Sequence, residues 1–247
     1  MRLAGKHCVV AGTGPGTGQA LVTRLLREGA RVVALARTRQ RLLELQRSLP
    51  AHTHDLAIAA ADLATEAGAS EAIATAQRFL GRIDGLVTNT GGFRAGTILD
   101  TDAGAFDEMM STNTRAHFLV ARAVAPLMAA SHGGAMVLVA AVFGGVVATR
   151  NLLAYSAAKA ATVAIGKSLA ADLRAANIRV NVICPGAISH TCQPGAAPGD
   201  GRTLGDGPGR PEDIAAAAAF LLSDDAFWIS GATLNVDAAF AVARDPW

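Results

Sequence analysis

The sequence predicts an α/β fold, a single doubly wound parallel sheet flanked by helices on both faces, and three observations carry that prediction. Short apolar runs alternate with helix-like segments from end to end. That grammar suits parallel strands, because each parallel pair needs a crossover, usually a helix. A glycine-rich loop, Gly12 to Gly18, separates the first apolar run from the first helical one. Hydrophobic residues make up 51% of the 247 residues, enough to bury both faces of a sheet in one domain spanning 1–247.

The elements follow in order. His7 to Ala11 reads as a strand and Gly18 to Glu28 as a helix; Arg31 to Ala36 is a strand and Thr38 to Ser48 a helix. A third strand ends near Asp62, and a helix runs from about Ser70 to Leu80. Leu86 to Thr88 is a strand, followed by one long helix from Ala103 to Ala130. Ala135 to Ala140 is a strand whose uncharged surroundings, Gly133 to Thr149, suit burial in a parallel sheet better than a membrane span. An alanine-rich helix covers Ala154 to Arg174, then come a strand at Arg179 to Ile183, a helix at Glu212 to Leu222 and a last strand at Thr233 to Val236. Crossovers are expected to be right-handed. Gln193 to Pro211 breaks the pattern with six glycines and four prolines, and reads as a loop over a site.

Composition narrows the function. A net charge of +2, without a basic stripe and interleaved aromatics, argues against nucleic-acid binding. Cys8, Cys184 and Cys192 form neither a disulfide framework nor, with histidines, a zinc-spaced cluster, so no metal is expected. With no signal peptide ahead of the first strand, the expected location is cytoplasmic.

Two features point to chemistry. Tyr155 and Lys159 lie four apart on one helix face. An ammonium beside a phenol favours phenolate and lowers its pKa, giving a proton donor or acceptor for a carbonyl–alcohol pair. Gly12, Gly14, Gly16 and Gly18, between a strand and a helix N-terminus, suit a pyrophosphate approaching the backbone. At the end of the second strand stands Ala36, then Arg37-Thr38-Arg39, where an acidic residue would select NAD. Arginine there favours NADP(H) over NAD(H).

With these pieces in order, the chain resembles the short-chain dehydrogenase/reductase family along nearly its whole length. Carrying the resemblance are Gly12, Gly16 and Gly18; Asp62-Leu63; Asn89 and Gly91 within Thr88-Asn89-Thr90-Gly91; Asn113; Tyr155 and Lys159; Pro185-Gly186; and the segments from Gly209 and Gly231. It implies a Rossmann-type sheet, a nicotinamide cofactor, a small-molecule substrate, and a homodimer or homotetramer. It also implies roles. Tyr155 is the proton donor and Lys159 also binds the nicotinamide ribose. Asn113 holds a water in a relay to Lys159. Asp62 and Leu63 contact adenine, Asn89, Gly91, Pro185 and Gly186 line the cofactor, and Ile188 packs near the carboxamide.

Departures from the family pattern matter as much. Thirteen positions before Tyr155, where the family has a serine that holds the substrate oxygen, stands Val142, and no serine or threonine occurs between His132 and Ala148. Thr88 and Thr90 replace the family's asparagine and alanine. Phe93, Val142, Phe143 and Leu152 are expected to wall a mostly apolar substrate pocket. Thr90, Thr149, Asn151 and His190 are candidate replacement donors. Three readings remain open: an NADP(H)-dependent carbonyl reductase or alcohol dehydrogenase; an impaired subunit pairing with an active homologue; and non-redox acid–base chemistry on the same scaffold.

Overall fold

The computed structural model describes residues 1–190, 202–205 and 207–243. Seven strands form one wholly parallel sheet in the order β3-β2-β1-β4-β5-β6-β7. In chain order the elements are β1 (His7–Ala11), α1 (Thr17–Arg27), β2 (Arg31–Ala36), α2 (Arg39–Ser48), β3 (Leu56–Ala60), α3 (Glu66–Leu80), β4 (Gly85–Thr88) and α4 (Ala103–Met110). There follow α5 (Ala116–Ala130), β5 (Gly134–Val139), the short turn α6 (Val142–Gly145), α7 (Leu153–Leu173), β6 (Ile178–Pro185), α8 (Pro211–Leu222), β7 (Thr233–Val236) and α9 (Phe240–Ala243).

Successive strand residues point to opposite faces, so each strand feeds two cores. Val9, Val33, Leu86 and Leu138 pack with α3, α5 and α7. Val10, Val32, Val87 and Val137 pack with α1, α2 and α8. This double burial is why the strands read as unbroken apolar runs rather than alternating ones. The strand order reverses about β1, and the crevice between β1 and β4 at their C-terminal ends is where such sheets bind ligands.

Most expected elements stand within a residue or two of their places. Helix α3 begins four residues earlier than expected, because Thr65 caps it by accepting from the Gly68 amide at 3.1 Å. The single long helix expected over Ala103 to Ala130 is two helices. A π-helical turn, Ser111–Arg115, separates α4 from α5, and Asn113 lies within it. Apolar periodicity does not register such a turn, which adds one residue without ending the helix. The expected loop lies for its larger part outside the described residues. Of its return, Arg202 forms a bidentate pair with Asp213 at 2.6 and 3.0 Å.

Candidate functional site

The C-terminal ends of β1, β2, β4, β5 and β6 open on two adjoining cavities. One, of about 350 Å³, has Gly12, Gly14, Arg37, Arg41, Asp62 and Leu63 in its wall. The other, of about 390 Å³, has Asn113, Tyr155, Lys159, Pro185, Gly186 and Ile188. Asn89, Thr90 and Gly91 line both.

The loop after β1 is shaped for a close-approaching ligand. Gly12 has φ +90°, and a Cβ there would lie 2.5 Å from the Asn89 carbonyl carbon. Gly16 has φ +77° and packs on the backbone of His190. Gly14 has open space where its Cβ would be. Gly18 lines neither cavity; it lets α1 pack against Gly12 and Thr13. Among the described residues no side chain caps α1, which leaves its N-terminus available to an anion. These residues fit a dinucleotide stretched across β1 and β4. Of the two arginines flanking Thr38, Arg37 lines the groove and Arg39 does not. Arg41, which the sequence reading missed, does. No local signal marked it, because Arg37 precedes α2 and the backbone between the two is not regular helix.

Helix α7 carries Tyr155 and Lys159 into the second cavity. The Lys159 ammonium lies 5.7 Å from the Tyr155 ring centroid and donates to the Val139 carbonyl at 3.3 Å. Phe93 meets the Tyr155 ring edge-on at 5.3 Å. The expectation that Lys159 lowers the phenol's pKa does not hold here. Burial, with a smaller contribution from Cys184, pushes Tyr155 up to about 12. Burial likewise brings Lys159 down to about 8. Loss of water contact is the largest cause of both shifts.

The lysine shift has a measurable consequence. Between about pH 8 and 10.5 the unfolded chain keeps a proton on this lysine that the folded chain has lost. Its contribution to stability therefore rises with pH across that window. Lys159→Met is expected to stabilise the cofactor-free protein most at pH 7 and to lose that advantage by pH 10. Urea unfolding of both proteins at the two pH values checks this; a pH-independent difference would contradict it.

Asn113 is fully buried. Its Nδ2 donates to the Gly92 carbonyl at 3.0 Å, and its own carbonyl accepts from Thr162 Oγ1 at 2.7 Å. Among the described residues its Oδ1 has no hydrogen-bond partner, and a Cβ on Gly91 would collide with that oxygen and approach the Lys159 ammonium.

Two expected wall residues stand elsewhere. Val142 is fully buried in the core with Val163 and Cys184, and the cavity is walled instead by Ala140, Ala141 and Phe143. Ala141 is fourteen positions before Tyr155. Counting back thirteen misses it because the intervening turn includes Gly144 at φ +92°, folded against the Ser156 backbone. Leu152 also lies outside the cavity wall, in a bridge with Gly96. Phe93 and Phe143 do line it. Of the four candidate donors, Thr90 and His190 line the cavity, while Thr149 and Asn151 do not. Among the described residues no group of His, Cys, Asp or Glu could hold a metal ion, and no helix is long and apolar enough to cross a membrane.

Residues 12–240 match the family model described as enoyl-(acyl carrier protein) reductase. The chain is 36% identical over 250 residues to 2-(S)-hydroxypropyl-CoM dehydrogenase 3 of Xanthobacter autotrophicus, covering 96% of each protein. It superposes on a short-chain type dehydrogenase/reductase from Mycobacterium ulcerans with a TM-score of 0.90 at 26% identity, covering 100% of this chain and 94% of that one. The chain belongs to the short-chain dehydrogenase/reductase family. A further relative is the inactive 2-(S)-hydroxypropyl-CoM dehydrogenase 2 of the same Xanthobacter, 36% identical over 188 residues, 72% of this chain and 81% of that protein. Short-chain dehydrogenases/reductases are oxidoreductases that typically use a nicotinamide cofactor.

Proposed function

We propose that this protein interconverts a carbonyl and an alcohol on a small, mostly apolar substrate using NADP(H). The observation that carries the reading is the convergence of Tyr155, Lys159 and Asn113 on the cavity that adjoins the glycine cradle. Bound there, the nicotinamide would supply or accept the hydride. Tyr155, kept as a neutral phenol by burial, donates its proton to the substrate oxygen during reduction. Lys159 holds positive charge beneath it and can donate to ribose hydroxyls. The unpaired Asn113 Oδ1 beside that ammonium is an acceptor for a bridging water. Phe93 packs on the Tyr155 ring, and Phe143 lines the same cavity. The family is typically oligomeric, and the working form is proposed to be a homodimer or homotetramer in the cytoplasm.

NADP(H) is favoured because Arg37 and Arg41 line the groove beside Ala36, with no carboxylate from the strand end to repel a 2′-phosphate. Replacing both arginines by alanine is expected to raise the Kd for NADPH about tenfold to a hundredfold, since charge-assisted bonds are lost. The Kd for NADH should barely change. Titrations followed by nicotinamide fluorescence check both. Tighter NADH than NADPH binding by the wild type would overturn the preference, and binding of neither would overturn the reading itself.

A second reading has its own support. Ala140, Ala141 and Phe143 present no hydroxyl to the space beside Tyr155, and one relative is described as inactive. On that reading the protein is an impaired subunit beside an active homologue. Purification from its host as a stoichiometric complex with a serine-bearing relative would favour it.

A further inference from the structure

Beneath the segment that lines both cavities lies a fully buried histidine. His117, on α5, is completely inaccessible, and so is Thr88 at the end of β4. The Thr88 Oγ1 is 2.5 Å from His117 Nδ1, and His117 Nε2 is 3.1 Å from the Thr90 carbonyl oxygen. The contacts dictate the proton's place. A carbonyl only accepts, so Nε2 carries the hydrogen; Nδ1 then accepts from the Thr88 hydroxyl. A second proton on the ring is opposed by burial and by the nearby Lys159 ammonium, which hold the imidazole down at about 3. The ring is thus a neutral strut with one defined tautomer.

The strut bridges the two threonines by which this chain departs from the family's Asn-Asn-Ala-Gly pattern. One is held by its hydroxyl, the other by its carbonyl. Between and just beyond them, Asn89 and Gly91 line both cavities. The Asn89 Nδ2 donates to the Gly12 carbonyl at 3.1 Å, and Gly91 abuts the Asn113 Oδ1 and the Lys159 ammonium. A shift of this segment would therefore disturb the glycine loop and the Lys159 site together.

We infer that His117 is a positioning residue, which as the neutral Nε2–H tautomer clamps Thr88 and Thr90 and thereby holds Asn89 and Gly91 where the cofactor groove needs them. It touches neither substrate nor cofactor. The role rests on the reading of the groove as a nicotinamide site.

The test combines three variants with one spectrum. His117→Gln keeps a donor where Nε2 stands; His117→Leu keeps bulk and loses both contacts; Thr88→Val loses one. Each is titrated with NADPH and NADH at a temperature well below its own Tm. His117→Leu is expected to weaken binding of the preferred cofactor about tenfold, because two buried polar groups lose their partner. His117→Gln should restore affinity to within about threefold of the wild type, and Thr88→Val should fall between. The ¹⁵N imidazole shifts of cofactor-free wild type should show Nε2 protonated and Nδ1 bare. A folded His117→Leu or, should that variant not fold, a Thr88→Val, with wild-type affinity would overturn the inference, as would an Nδ1–H tautomer. Lowered Tm with unchanged affinity would leave His117 a packing residue. A wild type that binds neither cofactor would sink the reading of the groove and this role with it. Unchanged variants beside a binding wild type would sink this role alone.

Discussion

Tyr155→Phe is expected to abolish detectable redox turnover while leaving cofactor affinity and thermal stability near wild type. The substitution removes one oxygen and its proton. The ring stays, with its edge-on contact to Phe93 at 5.3 Å, so packing of α7 against the 92–94 segment is kept. Proton transfer by a positioned acid contributes about 10² to 10⁴ in rate, and no other phenol exists in the chain to replace it. Turnover of a ketone panel with NADPH, measured beside a cofactor titration, checks the prediction. Retained turnover would remove Tyr155 from the role of acid. Loss of cofactor binding together with turnover would mean that the phenol serves the groove's architecture instead.

The second large effect separates two neighbouring residues. Ala141→Ser would place a hydroxyl on the cavity wall with Tyr155, whereas Val142→Ser would place one in the core. A preorganised donor at a developing oxyanion is worth about a hundredfold to a thousandfold in rate. Ala141→Ser is therefore expected to raise kcat/KM on generic ketones at least about tenfold, short of that ceiling because the surrounding wall did not form around it. Val142→Ser should leave turnover unimproved and destabilise the fold by about 1–3 kcal/mol, the cost of a buried hydroxyl without a partner. Ketone reduction and urea unfolding of the two variants measure both effects. A rise for Val142→Ser alone would restore position 142 to the pocket. A fall for Ala141→Ser on the protein's own substrate would show that the small apolar wall is shaped for that substrate.

The contrast between Ala141 and Val142 marks where sequence reading stops. Spacing along the chain locates a residue only while the intervening backbone is regular. Tyr155 to Lys159 is one helical turn, so their common face follows from four residues of separation. Between Ala141 and Tyr155 lie an irregular turn and a loop, and there the count carries no information about which side chain faces the cavity.

The sequence by itself determined the sheet, its flanking helices, the glycine cradle after β1 and the Tyr155–Lys159 pair, because apolar runs, glycines and helical spacing are local and periodic. Only the tertiary structure decided that Ala141 rather than Val142 lines the cavity and that Arg41 joins Arg37 in the groove. It alone brought His117 under Thr88 and Thr90, from 29 and 27 residues away in sequence. It also reversed the expected shift of Tyr155, because a pKa answers to desolvation as well as to charge, and burial exists only once the chain has folded.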